Sequence, residues 1–130
     1  MAQDILSELA SGGTLRAGLN MGNSLLITGA TPAGDPAGVA PDLAAEIADR
    51  LGVAVSYVPF PSPGELADQV GNDVWDICLI GAEPARAETI RFTAAYVEIE
   101  ATYLVPAGSP FASVDDVDRH MHAGTKAARI

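Results

Sequence analysis

At 130 residues the chain has the length of one compact domain, and with 48% apolar and 18% charged residues it can form a core and is not disordered. A formal charge of −10 repels nucleic acid and anionic membrane and excludes both as the main partner; an anionic ligand would need a locally basic pocket. The single cysteine, Cys78, excludes an internal disulfide, and its apolar setting, Ile77-Cys78-Leu79-Ile80, reads as a small buried hydrophobe with no base at hand to make it a nucleophile.

Met1 to Ser11 reads as a short amphipathic helix with Ile5, Leu6 and Leu9 on one face, not as a signal peptide. That start implies a cytoplasmic protein if it is native, or an exported one if a signal has been removed. No apolar stretch approaches the length of a membrane span. Gly12-Gly13 breaks the helix, and Thr14 to Asn20 reads as a strand. Leu25 to Ile27 is a short apolar stretch after the Gly22-Asn23 turn, followed by a Gly-, Pro- and Ala-rich loop from Thr28 to Gly38.

The best helix follows. Pro41 and Asp42 suit its first turn, Val39, Leu43, Ile47 and Leu51 recur every four residues as an apolar stripe, and Gly52 stands where a C-terminal cap belongs. Val53 to Val58 alternates as a strand. Ser62-Pro63-Gly64-Glu65 is a capping box that opens a helix through Val70. Val74 to Ala82 is nearly all apolar and reads as a strand buried on both faces. Glu83-Pro84-Ala85-Arg86 starts another helix, Val97 to Val105 alternates as a strand with Glu98, Glu100 and Thr102 on its wetter side, and Ser113 to Asp116 begins one more helix. The tail from Arg119 to Ile130 is weakly patterned, and its His120 and His122 are too few for a metal site. This order of elements predicts an α/β fold: a mostly parallel sheet between helical layers.

In such sheets ligands bind beyond the carboxyl ends of the strands. Those ends are Asn20 to Asn23, Pro59 and Phe60, and Gly81 to Glu83. Asn20 and Asn23 carry amide donors and acceptors, although both residue types also serve turns. Gly81 admits close approach to the backbone, and Phe60 offers an apolar wall or ordinary core packing. Arg86, in the first turn of the next helix, offers a guanidinium fork that matches a carboxylate, beside helix N–H groups that favour an anion. The alternative for Arg86 is a surface charge paired with Glu83 or Glu88.

The segments "TLRAGLNMGN", "GVAPDLAAEIADRLGV" and "WDICLIGAEPARAETIRFTAAYVEIEATYLV", in that order from Thr14 to Val105, resemble the family 3 bacterial solute-binding proteins. The resemblance implies a three-layer lobe of the type II periplasmic-binding-protein fold, with residues 1–106 as lobe one and 107–130 as the start of a crossover or a tail. It implies a periplasmic protein that hands an amino acid or similar small carboxylate to an ABC permease, without a cofactor and without catalysis. It also implies that Arg86 grips the ligand's carboxylate, that Gly81, Ala82 and Glu83 contact the same ligand, and that Asn20 to Asn23 line the cleft.

Three departures accompany the resemblance. Glu83 stands where that family usually has threonine, and an acid there favours a ligand bearing an amine. The interval from Asp76 to Arg86 is shorter than usual. The chain also stops where a second lobe begins in that fold, which leaves a sheet edge uncovered and implies a homodimer, through that edge or a swapped C-terminal segment. Two competing functions follow: an isolated lobe that self-associates without binding ligand, and a dehydratase-like enzyme with Glu83 as acid–base residue.

Overall fold

Leu15, Ala17 and Leu19 alternate with Arg16 and Gly18 along strand β1 (Thr14–Asn20), so the two sets leave the strand on opposite faces. All three of the first set are wholly buried. The computed structural model describes residues 2–100 and 102–122. Helix α1 (Ala2–Leu9) precedes β1. A two-residue hairpin, β2 (Gly29–Ala30) and β3 (Pro36–Ala37), then leads into helix α2 (Val39–Leu51) and strand β4 (Ala54–Phe60). Helix α3 (Pro63–Asp68), strand β5 (Ile77–Leu79), helix α4 (Pro84–Ala87) and helix α5 (Val114–His122) complete the order. No helix among the described residues is long and apolar enough to cross a membrane. The chain divides into two compact units, Met1–Phe92 and Thr93–Ile130.

In the first unit β1 lies between β4 and β5, parallel to both. Leu19, Ile27 and Ala40 form a buried cluster with Leu26, Tyr57 and Leu79 packed against it, which places α2 on one face of the sheet. A Cβ on Gly18 would lie 2.5 Å from Leu66 Cδ1 and 3.2 Å from the Trp75 ring, which places α3 on the other. Helix, sheet and helix are the three layers expected, and the β1 and α2 boundaries agree closely with the sequence reading.

Local chemistry accounts for the ends of the helices. Gly52 closes α2 at φ 70, the left-handed conformation that costs glycine least, and its N–H is bonded to Ala48 and Asp49 carbonyls. Ser62 Oγ accepts the Glu65 N–H at 3.2 Å to start α3. In the second unit, Ser113 Oγ accepts from Asp116 N while Asp116 Oδ2 accepts from the Ser113 and Ala112 N–H groups, a reciprocal cap for α5. Tyr103 adds a 2.7 Å hydrogen bond to Asp118 Oδ1 in that unit.

Several expectations are corrected. The fully buried residues of α2 are Ala40, Pro41, Ala44 and Ala48; of the predicted stripe, Leu43, Ile47 and Leu51 are half-buried and Val39 is 52% exposed. Short alanine side chains let the helix axis approach the strands, and the larger residues flank the contact. The Thr28–Gly38 loop contains the β2–β3 hairpin, turned at Gly34 (φ 90) and held by the bond from Thr31 N to the Asp35 carbonyl. Helix α3 ends at Asp68 rather than Val70. Strand β5 is three residues long and only half-buried, because among the described residues β1 is its sole neighbour. Val97 to Val105 forms no strand over its described residues: Ile99 is 53% exposed and Leu104 fully so. Alternation supplies an apolar side, but a strand also needs a neighbour for its backbone groups. Helix α5 runs on through Arg119 to His122, and the His120 and His122 side chains lie outside the described ones.

Asp76 is an acid inside an apolar run, and the structure supplies its partner. Arg16 donates to it from the backbone N–H (2.7 Å), Nε (3.1 Å) and Nη2 (2.7 Å) and also reaches Asp73 Oδ1 at 2.6 Å. Asp76 N returns a bond to the Arg16 carbonyl at 2.9 Å, so the pair fastens the entry of β5 to β1. Burial pushes the Asp76 carboxyl up, but the Arg16 bonds outweigh it and the carboxyl titrates below its ordinary value. A depressed folded value stabilises the fold above the ordinary carboxylate range, about pH 4, and the benefit is lost as pH falls through the depressed value. Asp76→Asn is therefore expected to melt at lower temperature than wild type at pH 7. The two melting temperatures should converge on acidification toward pH 3; a gap that widens would contradict this role.

Candidate functional site

The parallel sheet brings its carboxyl ends to one rim. Register pairs Asn20 with Phe60, and Met21 N–H donates to the Phe60 carbonyl at 2.8 Å, so the ends of β1 and β4 are adjacent. Leu19 pairs with Leu79, which puts the chain leaving β5, from Ile80 to Arg86, beyond the same end of the sheet.

Gly81, Glu83 and Arg86 come together there. Arg86 Nη1 donates to the Gly81 carbonyl at 2.9 Å and lies 3.5 Å from Glu83 Oε1. The Arg86 side chain is only 17% exposed, whereas that of Glu83 is 60% exposed. The guanidinium is thus fixed through one nitrogen. No described residue accepts a hydrogen bond from Nε or Nη2, the two donors on the edge that fits the parallel oxygens of a carboxylate. Helix α4 spans only four residues, too short to supply the N-terminal dipole that the sequence reading invoked for Arg86. The attraction for an anion rests on the guanidinium itself.

The asparagines are partly committed to the backbone. Asn20 Oδ1 accepts the Gly22 N–H at 3.0 Å, and Asn23 Oδ1 accepts the Leu25 N–H at 3.1 Å. Both are turn bonds of the kind short amides make, and they leave the amide N–H groups as the side chains' free donors. Phe60 is half-buried at the rim, and Ala82 is exposed next to Glu83. Cys78, on β5 below the rim, is half-buried; burial pushes its thiol up to about 11 against a smaller opposing pull from Arg86, so it stays protonated at neutral pH. An open groove of about 480 Å³ runs beside β4, lined by Asp35, Ser56, Tyr57 and Pro59 among others, and none of the predicted site residues borders it.

Residues 27–128 match the model of the bacterial extracellular solute-binding proteins, family 3. Among solved structures, the chain is similar to an ancestral cyclohexadienyl dehydratase at 30% identity and a TM-score of 0.61. That similarity covers 71% of this chain but only 38% of the dehydratase. No curated protein sequence matches the chain.

Proposed function

The chain belongs to the family 3 bacterial extracellular solute-binding proteins, and on that footing we propose that it forms one wall of a cleft that takes up an amino acid or similar small carboxylate for an ABC importer. The observation that carries this reading is Arg86: its guanidinium is pinned to Gly81 at the carboxyl rim of the sheet and keeps the Nε–Nη2 edge unengaged among the described residues. Asn20 and Asn23 would add amide donors, and Phe60 would supply an apolar wall. A single open rim buries little of a small ligand, so binding by this chain alone is expected on the order of millimolar.

A titration of the isotopically labelled chain with an amino-acid panel, followed by amide NMR, tests the reading. Saturable shifts at Asn20, Gly81 and Glu83 are expected with at least one member of the panel, and Arg86→Ala should abolish them. Shifts that survive Arg86→Ala would remove the carboxylate clamp. The same reading places the protein in the periplasm beside its permease. It also lets two chains meet along the outer edge of β5, which no described strand covers. Light scattering that gives a monomer at every concentration would refute that association.

The likeness to an ancestral cyclohexadienyl dehydratase favours a second reading, catalysis with Glu83 as acid–base residue. Glu83 is 60% exposed and open to bulk water, whereas such chemistry profits from excluding it. Product formation abolished by Glu83→Gln, with ligand binding retained, would establish the enzyme.

A further inference from the structure

We infer that the outer edge of β4 is a second binding site, which takes an extended peptide segment bearing a lysine or arginine as an added strand. Met21 N–H donates to the Phe60 carbonyl, so the backbone of Phe60 is turned toward β1. Backbone groups alternate sides along a strand. Ala54, Ser56 and Val58 are therefore turned toward β1 as well, and Val55, Tyr57 and Pro59 away from it. No described strand lies on that side, and the outward N–H and C=O groups have no hydrogen-bond partner among the described residues.

Those three outward residues line the groove of about 480 Å³, which the turn of the β2–β3 hairpin borders at Asp35 and Pro36. Ligand sites commonly hold about 300–1,000 Å³, so the space suffices. Alternating N–H and C=O groups match the backbone of an added strand, and Val55 to Pro59 spans about 13 Å, the length of a tetrapeptide at about 3.3 Å per residue. Pro59 has no N–H to offer, which ends the pairing there. Asp35 is the one charged side chain that lines the groove. Its backbone is held by Thr31 in both directions, while its carboxylate has no hydrogen bond or ion pair among the described residues. Burial, then Asp35 and Asp42, push the Tyr57 phenol up, so the groove carries a negative field that a basic side chain satisfies. A second copy of the same edge is a poorer occupant, because it brings its own Asp35 and the repulsion of a chain at −10.

The test is amide NMR of the full 130-residue chain titrated with the capped peptide Ac-Thr-Lys-Val-Lys-NH2. Its glutamate counterpart, its backbone N-methylated form and N-acetyl-lysine methylamide are titrated alongside. The lysine peptide should shift the Val55 and Tyr57 amides to saturation, with a dissociation constant on the order of millimolar, and leave the Gly81 amide in place. Asp35→Asn should weaken it about two- to fivefold, the range of an exposed charge pair. Because the Asp35 side chain bonds to no other described residue, the variant's spectrum should overlay on wild type away from the hairpin turn. Equal binding by the N-methylated peptide, or by the lysine derivative alone, would overturn strand addition. Equal binding by the glutamate peptide, or by Asp35→Asn, would overturn the preference for a basic segment. No shift at Val55 or Tyr57 at millimolar excess of the lysine peptide would overturn the site itself.

Discussion

Leu19→Ala is expected to destabilise the first unit by about 2–5 kcal/mol, the cost of truncating a fully buried leucine whose surroundings relax only in part. Leu19 is wholly buried and is the member of the main apolar cluster contributed by the central strand. It meets Ile27 and Ala40 from the segments that follow β1, Tyr57 on β4 and Leu79 on β5. Removing its side chain therefore weakens the joint between the sheet and α2 on both sides of the strand at once. Against a total stability of about 5–15 kcal/mol, the loss is a large share. Urea unfolding should show a lower midpoint with an unchanged slope. A midpoint within error of wild type would mean that the cluster is not the core of this unit.

Gly38→Ala should be similarly damaging by a different route. Gly38 has φ 137 and ψ −175, a backbone conformation essentially confined to glycine. A Cβ there would fall 2.3 Å from the Leu26 carbonyl oxygen, which accepts the Ala40 N–H in the first turn of α2. The methyl group cannot be accommodated by a side-chain rotation, because the obstructing atom is backbone. Strain of about 1–3 kcal/mol is expected from the dihedrals alone, with loss of the Leu26–Ala40 bond in addition. Gly64 provides the control: it lies within α3, and an added Cβ there meets nothing closer than Ser62 Oγ at 4.0 Å. Gly64→Ala should leave stability unchanged or raise it by a few tenths to about 1 kcal/mol. Equal effects at the two glycines would contradict the structure around Gly38.

What could be read in the sequence follows the range of the forces involved. Caps and breakers act locally, so Gly12-Gly13, Gly52, Ser62 and Ser113 marked element ends that the structure retains. The buried face of α2 was not legible, because an apolar stripe of large residues competes with a row of alanines and only the approaching sheet decides between them. The length of β5 and the fate of Val97 to Val105 depend on neighbouring strands, which no local pattern encodes. The pairing of Asp76 with Arg16 joins residues far apart in sequence, although an acid within an apolar run already signalled the need for a cation.

The rim of the site was legible because parallel strands bring their carboxyl ends together whatever their side chains. The bonds within the rim were legible only in part. The turn reading of Asn20 and Asn23 is the one their side-chain oxygens take, but nothing local showed that Gly81 would anchor Arg86. The short span of α4 also changes the physical basis of the site, from a helix terminus aided by an arginine to an arginine acting alone beside Glu83.

The most direct test is the Arg86 Nε–H resonance in the labelled chain, followed as alanine is added. The account predicts that it moves downfield and saturates with the same dissociation constant as the Gly81 and Asn20 amides, as a guanidinium edge receiving a carboxylate should. A ligand that shifts the rim amides to saturation while the Arg86 resonance stays fixed would show that the carboxylate is held elsewhere.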